Sequence, residues 1–136
     1  MGNHGVKKVI EFCYGHRLLN YDGKCRNLHG HNGQLEIEMT APALDALGMV
    51  IDFGDIKDLA KGWVDTHLDH KMLLHREDPI AKVLKDYGEQ LYLMDGNPTA
   101  ENIAKLIFHE LRTLGLQVSR VSLWETPSGC AVYRED

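Results

Sequence analysis

The chain has 136 residues, 43% hydrophobic and 26% charged, which excludes disorder or low complexity and suits one domain spanning residues 1–136. A formal net charge of −5 lacks the basic excess that a phosphate backbone demands, so the composition argues against nucleic acid as a partner. No stretch approaches the roughly 18 apolar residues of a membrane helix, and the three cysteines are an odd number without a secretory signal, so the chain reads as cytoplasmic with reduced thiols and no membrane partner.

Residues 6–16, "VKKVIEFCYGH", alternate as a strand, with Ile10, Phe12, Tyr14 and His16 on one face and Glu11 and Cys13 on the other. A turn around "NYDGKC" follows, and "HGHNGQLEIEMT" resumes alternation with Leu35, Ile37 and Met39 opposite Gln34, Glu36 and Glu38, which predicts a second strand antiparallel to the first. Asp52 or Asp55 caps a helix whose apolar stripe is Ile56, Leu59, Ala60, Trp63, Val64 and His67 and which ends near Leu68. A polar stretch, the apolar run "QLYLM" as a possible extra short strand, and the turn "DGNP" lead to a second helix. Thr99 is its N-cap, Ile103, Ala104, Ile107, Leu111 and Leu114 share one face, and Gly115 is its stop. The tail "QVSRVSLWETPSGCAVYRED" predicts two strands around "PSG", with Val121, Leu123 and Glu125 on one face of the first. The order β-β-α-α-β-β implies an α+β domain with helices laid on one face of an antiparallel sheet.

His29 and His31, two apart on a strand, share a face with Cα atoms roughly 6.6 Å apart, and His16 has the parity of Ile10 and Phe12. Three imidazoles fit zinc and leave a coordination position open, which is the catalytic pattern; the alternative is polar strand-end residues in a chain with 8 histidines. Cys25 has three readings: a fourth ligand that closes a structural site, a thiolate base or nucleophile activated by Lys24, Arg26 or the metal, or an inert thiol. Asp69 beside His70, just past the first helix, makes an acid/base pair if a loop presents it to a pocket, and otherwise a helix-end histidine. Glu125 is either a pocket-wall carboxylate that needs N–H donors or an exposed strand-end residue, while Thr99 and Glu101 read first as helix-start residues and second as pocket residues.

Together "FCYGHRL", "CRNLHGH", "VIDF", "LDHKML", "NPTAENIA" and "WETPSGCAVY" resemble the 6-pyruvoyl-tetrahydropterin synthase and 6-carboxy-tetrahydropterin synthase family over nearly the whole chain. The resemblance implies a tunnelling fold: a four-stranded antiparallel sheet with two helices on one face, three sheets closing a barrel, and two trimers stacked into a homohexamer with active sites between subunits. It further implies that His16, His29 and His31 hold Zn2+, that Cys25 is the proton-accepting thiolate, and that Asp69 and His70 form a proton relay. Glu125 matches the catalytic glutamate that anchors the pterin ring, and Thr99 and Glu101 line the same pocket. Arg17, Lys24, Arg26 and Lys71 are candidates to meet a triphosphate. The three-residue gap between Cys25 and His29 resembles the bacterial carboxy-forming type of the queuosine and deazapurine pathway, which acts on 7,8-dihydroneopterin triphosphate and releases acetaldehyde; the alternative is pyruvoyl formation or another side-chain cleavage. Tyr14, where the family usually has a small residue, and Leu74, where asparagine is common, depart from the pattern.

Overall fold

β1 (His4–His16) and β2 (His29–Ala41) form a thirteen-pair antiparallel ladder that runs from His4 opposite Ala41 to His16 opposite His29. The computed structural model describes residues 2–135. Alternation does what the sequence predicts: Ile10, Phe12, Tyr14 and His16 on β1 and Leu35, Ile37 and Met39 on β2 are buried or nearly so, while their neighbours face outward. Beyond β2 lie β5 (Arg120–Thr126) and β6 (Gly129–Arg134), both antiparallel, so the order β1-β2-β5-β6 is the expected four-stranded antiparallel sheet.

The observed sheet is wider, with six strands in the order β4-β3-β1-β2-β5-β6. β3 (Lys71–His75) and β4 (Leu91–Met94) extend it past β1, and both join in parallel. β4 is the "QLYLM" run. The expectation of a loop through "HLDHKMLLH" fails from Lys71 onward because Leu73 and Leu74, adjacent and therefore on opposite faces, are both completely buried. A strand covered on both sides carries no alternation to read. The short helix α2 (Ile80–Asp86) between β3 and β4 was not anticipated either.

α1 (Phe53–His67) starts at Asp52, which accepts a hydrogen bond from the Gly54 N–H at 2.7 Å, so Asp52 rather than Asp55 is the cap. Its buried residues are Ile56, Ala60, Trp63 and Val64, whereas Leu59 is on the rim of the stripe and exposed. α3 (Ala100–Thr113) is capped by Thr99, whose hydroxyl accepts from the Asn102 N–H at 3.1 Å, and stops where Gly115 takes φ +99°. Ile103, Ala104, Ile107, Phe108 and Leu111 of α3 join α1 and the inner sheet face in one hydrophobic core. Two helices thus cover one face of the antiparallel strands, as expected.

The segment between β1 and β2 carries Cys25 on a single 3-10 turn (Lys24–Arg26) and is tied down at its start. Arg17 donates from Nε and Nη2 to the two Asp78 oxygens at 2.7 and 2.5 Å, and the Asp78 side chain is fully buried. The guanidinium hydrogen bonds hold the Asp78 carboxyl below its usual range despite burial. A lowered folded value means that this contribution to stability is complete above about pH 4 and is lost as pH falls through the folded value. Arg17→Ala is therefore predicted to cost about 3 kcal/mol near pH 7, and the gap from wild type, measured by urea unfolding, should shrink once Asp78 is protonated well below pH ~4.

Candidate active site

At the β1–β2 end of the ladder the three histidines of the sequence analysis meet. His16 is paired with His29, and His31, opposite Tyr14, follows two residues on, so strand parity brings all three rings to the inner face. One ligand atom from each lies within 4.8 Å of the other two. His16 is buried, and burial lowers its pKa from the ordinary imidazole value, which keeps the ring neutral near pH 7.

Two of the three ring orientations are fixed by backbone carbonyls. A carbonyl can only accept, so His16 donates from Nδ1 to Pro98 O at 2.6 Å, and His29 donates from Nδ1 to Asn27 O at 2.7 Å. Each is left with its Nε2 lone pair free, the arrangement that second partners impose on metal-binding imidazoles. Nε2 of His16 and Nε2 of His31 are buried without a hydrogen-bond partner. Buried ring nitrogens without a partner are rare, and a shared cation would satisfy both, so the triad fits a metal ion on its own chemistry. Cys25 is not a member of this convergent group.

A cleft of about 610 Å³ opens beside the triad and is lined by His16, Cys25, Thr99, Glu101 and Glu125. Glu125 reaches in from β5 with one oxygen 3.1 Å from His31 Nε2 and 4.0 Å from His16 Nε2, and its side chain is 25% exposed. Its Oε2 approach to His31 lacks hydrogen-bond geometry. Tyr14 packs edge-on against His16, with ring centroids 5.4 Å apart, and burial together with the Glu125 carboxylate drives its phenol far above the usual range, so it stays protonated.

The segment 97–102 braces this end of the molecule. Asn97 exchanges two hydrogen bonds with the Leu19 backbone, accepting from its N–H at 2.7 Å and donating to its carbonyl at 3.0 Å. Leu18 N–H in turn donates to the Cys25 carbonyl at 2.8 Å. Pro98 holds His16, and Asn102 donates to the Asn97 carbonyl at 2.8 Å. One stretch of chain therefore sets a histidine orientation, the cap of α3 and the course of the Cys25 segment. Sequence reasoning placed Thr99 here but not Asn97 or Pro98, because a carbonyl acceptor leaves no residue-type signature.

Asp69 and His70 form a pair as expected, but elsewhere. Asp69 Oδ1 accepts from the Cys13 N–H at 2.9 Å and its Oδ2 accepts from His70 Nδ1 at 2.7 Å. Burial alone would raise the Asp69 pKa; the Cys13 and His70 hydrogen bonds outweigh it and hold the carboxyl below its usual value. His70 has φ +59°, a left-handed conformation that is costly for a side-chain-bearing residue and clusters at functional sites. Its ring lines a second cleft of about 500 Å³ with the outward-facing Cys13 and Asn32, Lys71 and Glu89, which His29 and His31 also border. Among the described residues neither Asp69 nor His70 hydrogen bonds to the triad, Cys25 or Glu125. Of the candidate cations, Arg17 is already committed to Asp78, whereas Lys24 and Arg26 are exposed.

A histidine triad at the end of the antiparallel β1–β2 ladder, with two helices on the triad's side and a cleft beside it, could hold a metal ion. Residues 5–136 match the family described as 6-pyruvoyl tetrahydropterin synthase. A 6-carboxy-5,6,7,8-tetrahydropterin synthase of Rickettsia bellii is 44% identical over 126 residues, covering 88% of this chain and 91% of that one. The fold also matches an uncharacterized protein of Wolinella succinogenes, with a TM-score of 0.86 at 24% identity over all of both chains. It matches the Caenorhabditis elegans 6-pyruvoyl tetrahydropterin synthase with a TM-score of 0.74 at 23% identity, over 100% of this chain and 98% of that one. The chain belongs to the 6-pyruvoyl tetrahydropterin synthase family and is an enzyme of the lyase class.

The Asn97 bracket carries a prediction. Asn97→Ala leaves the Leu19 N–H and carbonyl without their partner and is expected to destabilise the protein by about 1–3 kcal/mol, read as a lower urea midpoint. An unchanged midpoint would mean that water replaces the bracket at no cost.

Proposed function

We propose that the protein is a zinc-dependent 6-carboxy-5,6,7,8-tetrahydropterin synthase that converts 7,8-dihydroneopterin triphosphate to 6-carboxy-tetrahydropterin, acetaldehyde and triphosphate in queuosine and deazapurine biosynthesis. The observation that carries this reading is the triad of His16, His29 and His31 with two buried, unpartnered Nε2 atoms beside the Cys25 and Glu125 cleft. The name borne by the Rickettsia relative favours the carboxy product over the pyruvoyl one.

Three neutral nitrogen donors suit zinc and leave it an open position. When bound, the metal supplies a Lewis acid that acidifies the substrate's side-chain hydroxyls and the adjoining C–H bonds. The chain's own groups do the rest. Cys25, on its short turn between Lys24 and Arg26, accepts the proton that leaves carbon. Glu125 receives the N–H edge of the pterin ring, and Thr99 and Glu101 form the wall beside it. His70, held by Asp69 in one tautomer and one orientation, moves protons as triphosphate departs. Lys24, Arg26 and Lys71 are the cations left to meet the triphosphate, since Arg17 is neutralised by Asp78.

Because His70 lines a different cleft from Cys25 and Glu125, the reading calls on a second copy of the chain to bring its relay to the first copy's thiol. A homohexamer built as a dimer of trimers, with sites between subunits, meets that requirement and covers the free edges of β4 and β6.

Cys25→Ala tests the assignment of roles. It is expected to retain the metal content of wild type, by elemental analysis, while turnover falls by roughly 10²-fold or more. His29→Ala is expected to lose both. Loss of metal from Cys25→Ala would instead make Cys25 a ligand and the site structural.

A further inference from the structure

The segment 17–28, which carries Cys25 between the two long strands, contains no buried residue: each is half-buried or exposed, and its larger apolar members Tyr21 and Leu28 face solvent. Apolar packing, which places the strands and helices, therefore does not place this segment. Hydrogen bonds do. Among the described residues, those of 20–28 bond only to their near neighbours in the chain: the Arg26 N–H donates to the Gly23 carbonyl at 3.2 Å, the Asn27 N–H to the Lys24 carbonyl at 3.1 Å, and the Leu18 N–H to the Cys25 carbonyl at 2.8 Å. The ties from this unit to distant parts of the chain lie at its start, where Arg17 meets Asp78 and Leu19 meets Asn97.

Asn97 commits its whole side chain to one residue. Its Oδ1 accepts from the Leu19 N–H and its Nδ2 donates to the Leu19 carbonyl. The anchor is itself pinned by the start of α3, because the Asn97 carbonyl accepts from the Thr99 N–H and from Asn102 Nδ2, each at 2.8 Å. The next residue, Pro98, holds His16 through its carbonyl. Residues 97 and 98 thus grip, side by side, the segment that carries the thiol and one ring of the histidine triad. Truncating the Asn97 side chain releases the first grip and leaves the second, since the Pro98 acceptor is a main-chain atom.

We propose that Asn97 is a positioning residue for Cys25: by clamping Leu19, whose neighbour Leu18 holds the Cys25 carbonyl, it sets where the thiol stands relative to the triad across the cleft that His16 and Cys25 both line. The proposal rests on the reading of Cys25 as the proton acceptor and deepens it, because a thiol on an unpacked turn stays on target only through such ties. The Arg17–Asp78 pair holds the first residue of the segment and lies further along the chain from Cys25. A reacting group misplaced by about 1 Å loses on the order of 10²-fold in rate, so a clamp of this kind acts on kcat.

The test compares metal-loaded wild type, Asn97→Ala, Asn97→Asp and Ile107→Val by peptide-resolved amide hydrogen exchange and by steady-state turnover of 7,8-dihydroneopterin triphosphate. Ile107→Val trims the buried core and lowers global stability without touching the segment. In Asn97→Ala, exchange across residues 17–28 is expected to quicken roughly tenfold relative to the core of α3, the scale of a lost hydrogen bond. Metal content should stay at the wild-type level, while kcat falls roughly 10- to 100-fold with KM little changed. Asn97→Asp keeps the acceptor for the Leu19 N–H, loses the donor to its carbonyl, and should fall between. Ile107→Val should keep wild-type kcat, as Asn97→Ala would if its role were merely structural. Unchanged exchange in 17–28, equal quickening of that segment and the core, or wild-type kcat in Asn97→Ala would each overturn the proposal. Absence of turnover in wild type would overturn the pterin reading and the catalytic half of this proposal, whereas the exchange result decides separately whether Asn97 holds the segment.

Discussion

Strict two-residue alternation along β1 and β2 is the constraint on which everything else in this structure depends. It puts Ile10, Phe12, Leu35 and Ile37 under the two long helices, and at the end of the same ladder it puts His16, His29 and His31 on that same face. A slip of one residue in β1 against β2 would turn His16 outward and dissolve both the core and the triad. Hydrophobic packing, far stronger in aggregate than any single side-chain contact, thus fixes the geometry of the histidine triad. The same alternation sends Cys13 and Asn32 to the other face, and with them the cleft that His70 lines.

Backbone groups then refine what the strands set roughly. Pro98 and Asn27 carbonyls choose the tautomers of His16 and His29, and Asn97 ties the Cys25 segment to the start of α3. The segment 97–102 therefore couples helix capping to site geometry: the residues that begin α3 also hold a histidine and border the Cys25 and Glu125 cleft. His70 is held in a left-handed backbone conformation by its N–H bond to Cys13 and its ring bond to Asp69, a local strain that the surrounding hydrogen bonds sustain.

Much of this was legible in the chain. Alternation located β1, β2 and β5, and the 3.6-residue stripe together with Thr99 and Gly115 located α3 to within a residue of its ends. Parity put the three histidines on one covered face, and the family resemblance grouped them as one ligand set. What escaped has physical reasons. β3 is covered on both faces, so Leu73 and Leu74 show no period, and α2 is too short to display one. Leu59 belongs to the helical stripe by spacing yet lies at its rim. The Pro98 and Asn27 acceptors are main-chain atoms with no residue-type signal, and the separation of His70 from Cys25 depends on a tertiary arrangement that no local pattern encodes.

The proposed function needs Cys25 from one copy of the chain and His70 from another. Co-assembly of Cys25→Ala with His70→Ala measures this directly, by assaying each variant alone and the two refolded together with 7,8-dihydroneopterin triphosphate. The account predicts that each variant alone is nearly inactive and that the mixture regains a substantial part of wild-type turnover, because some sites then combine an intact thiol with an intact relay. A mixture no more active than its parts would contradict it.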